Sequence, residues 1–198
     1  MRATRVLAVP GLLLALGLLP AMVTPPGEAT AVLAGGCFWG TEAVFEHLKG
    51  VHSVVSGFAT APAGMRVPVE AVQIVYDPAK ISYRQLLEVF FQVAHDPTSR
   101  DKQGPDEGPE YRAAVFYANP VERDAANAYM EELANSKRFR GPIVTELLSL
   151  TNFRVAAPFH QDYGFKHPTE PYVVYNDAPK LVQLKKDFPA LYQEQRAP

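Results

Sequence analysis

Cys37 is the only cysteine in a chain of 198 residues, and it stands two positions before the only tryptophan. Both lie in one hexapeptide, Gly35-Gly36-Cys37-Phe38-Trp39-Gly40. A thiol is a nucleophile only as its thiolate, so the surroundings decide whether it works. Upstream is an apolar run of strand length, Ala31 to Ala34. Downstream, Val44, Phe45 and Leu48 recur at helical spacing. Cys37 is thereby placed between a buried strand and the first turn of a helix. There, unpaired backbone N–H groups and the helix dipole favour an anion. The glycines before it allow tight backbone geometry. Many free cysteines are buried and inert; the glycines and aromatics around this one point to a working thiol.

The elements that must hold this thiol follow from patterning. Val51 to Phe58 is β-rich. Val69 to Tyr76 alternates and is closed by the turn Asp77-Pro78. Ser82 with Gln85 three residues on forms a capping box for a helix whose buried face runs through Leu86, Leu87, Phe90, Phe91 and Val93-Ala94. His95-Asp96-Pro97 stops it. Residues 98–110 are polar and turn-rich, a length that suggests a functional loop. Tyr111 to Tyr117 reads as a strand. Asn119 and Pro120 open a helix to about Lys137, and Ile143 to Leu150 reads as another strand. From Phe153 onward the chain is aromatic and irregular, with a short basic helix near 181–186. The order predicts an α+β fold: a ferredoxin-like two-layer sandwich of a mixed sheet and helices, with an irregular C-terminal segment.

Composition narrows the function classes. An apolar fraction of 47% is ample for a core, and a net charge of −2 with well-mixed signs gives no case for nucleic acid. No second cysteine and no two-histidine helical motif supports a metal site, and no cofactor is expected. Arg2 and Arg5 precede an apolar run from Val6 to Val23, the pattern of an export signal. Residues 1–29 are read as signal and linker and 30–198 as the working domain, exported to the periplasm. The alternative is an uncleaved membrane anchor. One cysteine in an exported chain forms no internal disulfide and is either an intermolecular partner or a working thiol.

Gly36-Cys37-Phe38-Trp39-Gly40 resembles the active-site motif of the A-type peptide methionine sulfoxide reductases. The resemblance continues through Glu70-Ala71-Val72 into Tyr76-Asp77-Pro78, then Ile81-Ser82-Tyr83, His95-Asp96-Pro97, Gln103 to Asp106 and Tyr111-Arg112. It closes with His160 to Tyr163 and Phe188 to Tyr192. Several spaced motifs in order make it far more specific than one pentapeptide. It implies thiol-dependent reduction of methionine S-sulfoxide, free or in proteins, by a monomer. Cys37 would be the nucleophile and Glu70 the proton donor. Tyr111 would donate a hydrogen bond to the oxygen, and Asp106 would position a water or thiol. Phe38, Trp39 and, by resemblance alone, Tyr163 would line a slot for the S-methyl group. Cys37 would be left as a sulfenic acid. Many relatives carry a resolving cysteine near the C-terminus; with a single cysteine, an external thiol is required, and a thioredoxin-like donor suits an oxidising compartment.

The resemblance fails in one stretch. The family's glycine-rich segment and its tyrosine-bearing loop are replaced by Gly57-Phe58-Ala59-Thr60-Ala61 running quickly to Val67-Pro68-Val69-Glu70, so the loop's oxygen-binding tyrosine has no counterpart. Two competing readings follow. One is a degenerate relative that binds oxidised methionine segments or a partner without turnover. The other is a cysteine acyl-transfer enzyme using one of His47, His52, His95, His160 or His167 as base.

Overall fold

The alternation of residues 69–76 is realised as β3 (Val69–Tyr76), an inner strand of a six-stranded sheet ordered β7-β6-β1-β3-β2-β8. The computed structural model describes residues 27–62, 67–194 and 197, so all but the last three residues of the signal and linker expected over residues 1–29, and the middle of the shortened loop, lie outside the described residues. β1 (Ala29–Ala34) pairs antiparallel with β3 and with β6 (Ala114–Tyr117), and β2 (Val51–Thr60) pairs antiparallel with β3. Those four strands, in the order β6-β1-β3-β2, are the ferredoxin-like arrangement expected. β7 (Glu146–Ser149) adds parallel to β6 at one edge, and β8 (Asn152–Val155) adds antiparallel to β2 at the other.

The strands sort their side chains by parity. Leu33, Val72, Ile74 and Tyr76 face the main core, with α1 (Phe38–Glu46) and α2 (Tyr83–Val89). Val32, Ala34, Val69, Ala71 and Phe116 build a smaller apolar cluster on the other face. Glu70 shares the parity of Val72 and Ile74 and therefore points to the α1 side. α3 (Pro120–Asn135) packs on α2 and β6, and α5 (Ala178–Asp187) packs on α1.

The caps are as read. The Ser82 hydroxyl accepts from the Gln85 N–H, while the Gln85 side chain accepts from the Ser82 N–H. Asn119 accepts from the Glu122 N–H, with Pro120 at the first helical position. Several boundaries differ from expectation. α3 ends at Asn135, and Lys137 turns back with φ 55°. The strand expected over 143–150 shortens to β7 because only the four residues of β6 pair with it. The strand expected from Tyr111 starts at Ala114, since Pro109–Tyr111 winds into a 3₁₀ turn. The loop expected to lack structure holds a small hairpin, β4 (Lys102–Gln103) with β5 (Asp106–Glu107). β8 corrects the irregular reading of the segment from Phe153. Gly57 makes room for it, because a Cβ there would come within 2.4 Å of the Phe153 ring.

Two helical stretches widen into π turns, Phe90–Ala94 after α2 and Val173–Asp177 before α5. Single π turns inside helices are frequent at functional sites, and both of these border the thiol described next. α4 (Tyr163–Lys166) is a single turn that precedes the second of them in the chain.

Candidate active site

Cys37 is the residue that opens α1, with φ −51° and ψ 124°, and its side chain makes no capping bond. The approach from β1 depends on Gly36. It takes φ 85°, and a Cβ there would lie 2.4 Å from Cβ of Gln103. Glu70 reaches this helix start from β3: its Oε2 accepts the Phe38 N–H at 3.1 Å. One otherwise unpaired N–H of the first turn is thus satisfied by a carboxyl group beside the thiol.

The thiol is 9% exposed. Burial, then the Glu70 charge, push it up to about 12, against the Trp39 N–H and the Tyr172 hydroxyl, which pull it down. The expectation that the helix start would leave a standing thiolate is therefore corrected. Desolvation and a neighbouring carboxylate outweigh the dipole, and the resting group is the thiol. Burial likewise raises Glu70 to about 7 in spite of the Phe38 N–H, with Asp106 and Glu110 adding to the rise. Tyr111 is raised to about 12, first by burial and then by the charges of Glu70, Asp106, Cys37 and Glu110. The predicted quartet of Cys37, Glu70, Asp106 and Tyr111 is brought together.

Tyr172 is the functional residue that sequence reasoning missed. Its hydroxyl donates to the Asp106 carboxylate and also hydrogen-bonds the Cys37 sulfur. A hydroxyl that faces both the sulfur and the Asp106 carboxylate offers a path for a proton from one to the other. The only sequence signal was an aromatic after Glu170-Pro171, in a stretch without periodicity. Tyr172→Phe is expected to slow the first turnover about tenfold, the worth of one net hydrogen bond near 1.4 kcal/mol. An unchanged first-turnover rate would take the hydroxyl out of the path.

Phe38 is fully buried, edge-on to Phe58 at 5.7 Å and to His160 at 5.1 Å. Trp39 stacks on Tyr163 with ring centroids 3.6 Å apart and planes 8° from parallel, and the Tyr172 ring meets it edge-on at 5.7 Å. The three predicted slot residues are therefore neighbours. Phe38 is a buried wall, and Tyr163 covers one face of Trp39. The segment carrying His160 and Tyr163 is clamped in place. The Trp39 indole N–H donates to His160 Nδ1 at 3.3 Å, Gln161 exchanges two hydrogen bonds with the Ser56 backbone, and the Asp162 N–H donates to Glu42 on α1.

Gly40 closes the motif by letting α1 approach the buried carboxylate of Asp177. A Cβ there would fall 2.2 Å from Asp177 Oδ1. Gly40→Ala is expected to cost about 1–3 kcal/mol by overpacking. Urea unfolding reads this, and an unchanged midpoint would show that the approach is not limiting.

The acyl-transfer reading lacks its base. His95, although beside Cys37, has Nδ1 on the Phe90 carbonyl at 2.9 Å and Nε2 on the Thr145 hydroxyl at 2.9 Å, and burial holds it down at about 4. The groups that shift the acidity of the Cys37 thiol are Glu70, Trp39, Tyr172 and Asp177, with no histidine among them.

Comparison with known proteins agrees with this geometry. Residues 29–191 match the family model described as peptide methionine sulfoxide reductase. The chain is 45% identical over 179 residues to peptide methionine sulfoxide reductase MsrA 2 of Mesorhizobium japonicum, covering 85% of this chain and 92% of that protein. It is also 45% identical over 177 residues to MsrA of Thermus thermophilus, covering 83% and 97%. Among solved structures, methionine sulfoxide reductase A of Corynebacterium diphtheriae superposes with a TM-score of 0.60 at 32% identity, over 72% of this chain and 76% of that one. Reduced Mxr1 of Saccharomyces cerevisiae gives 0.65 at 28%, over 74% and 89%. With sequence, fold and the Cys37 motif in agreement, the chain belongs to the peptide methionine sulfoxide reductase family and is an oxidoreductase.

Proposed function

We propose that the chain reduces the S epimer of methionine sulfoxide to methionine, with Cys37 as nucleophile and Glu70 as proton donor. The observation that carries this is the Glu70 carboxyl group held on the Phe38 N–H beside the thiol, with its acidity shifted to about 7 so that a protonated fraction persists at neutral pH. The net first step is Cys37–SH plus sulfoxide giving Cys37–SOH plus methionine. Glu70 gives its proton to the sulfoxide oxygen, with Tyr111 donating a hydrogen bond to it. The thiol proton leaves through Tyr172 to Asp106. The oxygen ends on the Cys37 sulfur as a sulfenic acid.

Recycling falls to an external thiol because the sequence holds one cysteine. Yeast Mxr1, which shares this fold, has been crystallised in complex with Trx2, and a thioredoxin-like donor is assigned here on the same pattern. Work in the periplasm as a monomer is part of the reading, supported for export by Arg2, Arg5 and the apolar run to Val23. The assembled Cys37, Glu70, Asp106 and Tyr111 support turnover over the binding-only alternative.

Incubation of the purified chain with S- and R-methionine sulfoxide and dithiothreitol tests the proposal. Methionine from the S epimer alone is expected. Turnover of the R epimer only, or of neither with both still bound, would overturn it.

A further inference from the structure

We infer that the recycling thiol reaches Cys37 through a cavity separate from the aromatic slot. This rests on the sulfenic-acid reading above and says how the second half of the cycle is served.

The cavity measures about 240 Å³ and has Cys37, Asp106 and Tyr172 in its wall. Phe38, Trp39, Glu70, Tyr111 and Tyr163, the other groups placed around the sulfur, do not line it. Tyr172 therefore works as a partition: its ring meets Trp39, and its hydroxyl reaches Asp106 and the sulfur. Both π turns border the space, through Val93-Ala94 on one side and Asn176 on the other. Its mouth is open beside Gly104, where an added Cβ would meet nothing closer than Asn176 Oδ1 at 3.9 Å. Gln103, Asp106, Asn176 and Lys180 set polar and charged groups into a wall that is otherwise mostly apolar. The methyl and methylene groups of methionine suit the aromatic slot; a small polar or charged thiol, or a cysteine on a protein surface, suits this cavity.

The reaction geometry favours the same division. After the first step the oxygen on Cys37 lies towards Glu70 and Tyr111, which handled it. A thiolate displacing that oxygen must approach the sulfur from the opposite side. The step is Cys37–S–OH plus R–SH giving Cys37–S–S–R plus water, the proton of the entering thiol ending on the departing oxygen. A second R–SH then gives R–S–S–R and restores Cys37–SH. The Lys180 ammonium over the cavity favours the thiolate form of the entering group. Buried Asp177, 3.9 Å from its Nζ, holds it there.

Filling the cavity with Asn176→Trp in the full chain separates the two half-reactions. Methionine released in one reductant-free turnover is expected to stay within about twofold of the parent, while the dithiothreitol-driven steady-state rate falls at least about tenfold and the oxygen-bearing Cys37 accumulates in intact-mass spectra. Slowing confined to dithiothreitol assigns the cavity to small thiols; equal slowing with a thioredoxin-like protein assigns it to protein thiols too. Equal loss in both half-reactions, or an undiminished steady-state rate, overturns the inference. Because Asn176 also donates to the Tyr172 carbonyl, Lys180→Gln is the second variant. Recycling by anionic 2-mercaptoethanesulfonate should fall at least about threefold relative to neutral 2-mercaptoethanol. Equal effects on both thiols count against Lys180. A parent chain that makes no methionine in its first turnover overturns the reductase reading itself, a different result from any of these.

Discussion

Cys37→Ser is expected to leave no measurable methionine formation, a loss beyond about 10⁴-fold, or more than about 5 kcal/mol of transition-state stabilisation. The substitution is small and suits the local backbone. Cys37 stands at the start of α1 without a capping bond, and serine is among the preferred residues at that position, so the helix start is kept or strengthened. Chemistry is what changes. The first step places an oxygen on the side-chain atom at position 37. On sulfur this gives a sulfenic acid; on a serine oxygen it would require an O–O bond, which the reaction has no means of forming. Nor can another thiol take over, since the chain has one cysteine. Chromatographic assay of methionine after incubation with the S epimer and dithiothreitol reads the loss. Retention of more than about 1% of the parent rate in a folded Ser variant would move the chemistry away from this residue.

The parts of this site that were legible in the sequence are those carried by local rules. The hexapeptide announced a strand-to-helix junction because Gly36 and the flanking periodicities specify it, and the capping pairs Ser82 with Gln85 and Asn119 with Glu122 are short-range bonds. The alternation of β3 put Glu70 on one face with Val72, Ile74 and Tyr76, but which face the helices cover is a tertiary matter. What the sequence could not carry is tertiary. Tyr172 meets Cys37 across more than a hundred residues, beside a π turn that no apolar period specifies. β8 was hidden because Val155 is exposed and only one edge of the strand is paired, which blunts its alternation. The acidity of the thiol was misjudged for the same reason. A helix start is visible in sequence, whereas the burial and the two carboxylates that oppose it, Glu70 and Asp177, come from distant elements.

Glu70→Gln is expected to slow the first turnover by about 10²–10⁴-fold, the usual worth of a positioned general acid. Glutamine matches the volume, and its carbonyl oxygen can still accept the Phe38 N–H, so the helix start and the packing persist. It cannot give a proton to the sulfoxide oxygen. It also removes a charge that raises the Cys37 thiol, so the variant holds more thiolate than the parent. The two consequences oppose each other. A slower variant shows that proton delivery governs the step; a faster one would mean that Glu70 acts only by suppressing the thiolate. The pH profile adds a second readout. Glu70 is raised to about 7 by burial, so its proton-bearing form prevails below that pH and is lost above it. Rapid-quench first-turnover rates of the parent should therefore be level below about pH 7 and then fall about tenfold per unit. In Glu70→Gln that falling limb should be absent. A parent rate that rises through neutrality would instead mean that the thiol hands its proton to the Glu70 carboxylate, which would sink the path through Tyr172 to Asp106. Persistence of the falling limb in the glutamine variant would assign it to another group.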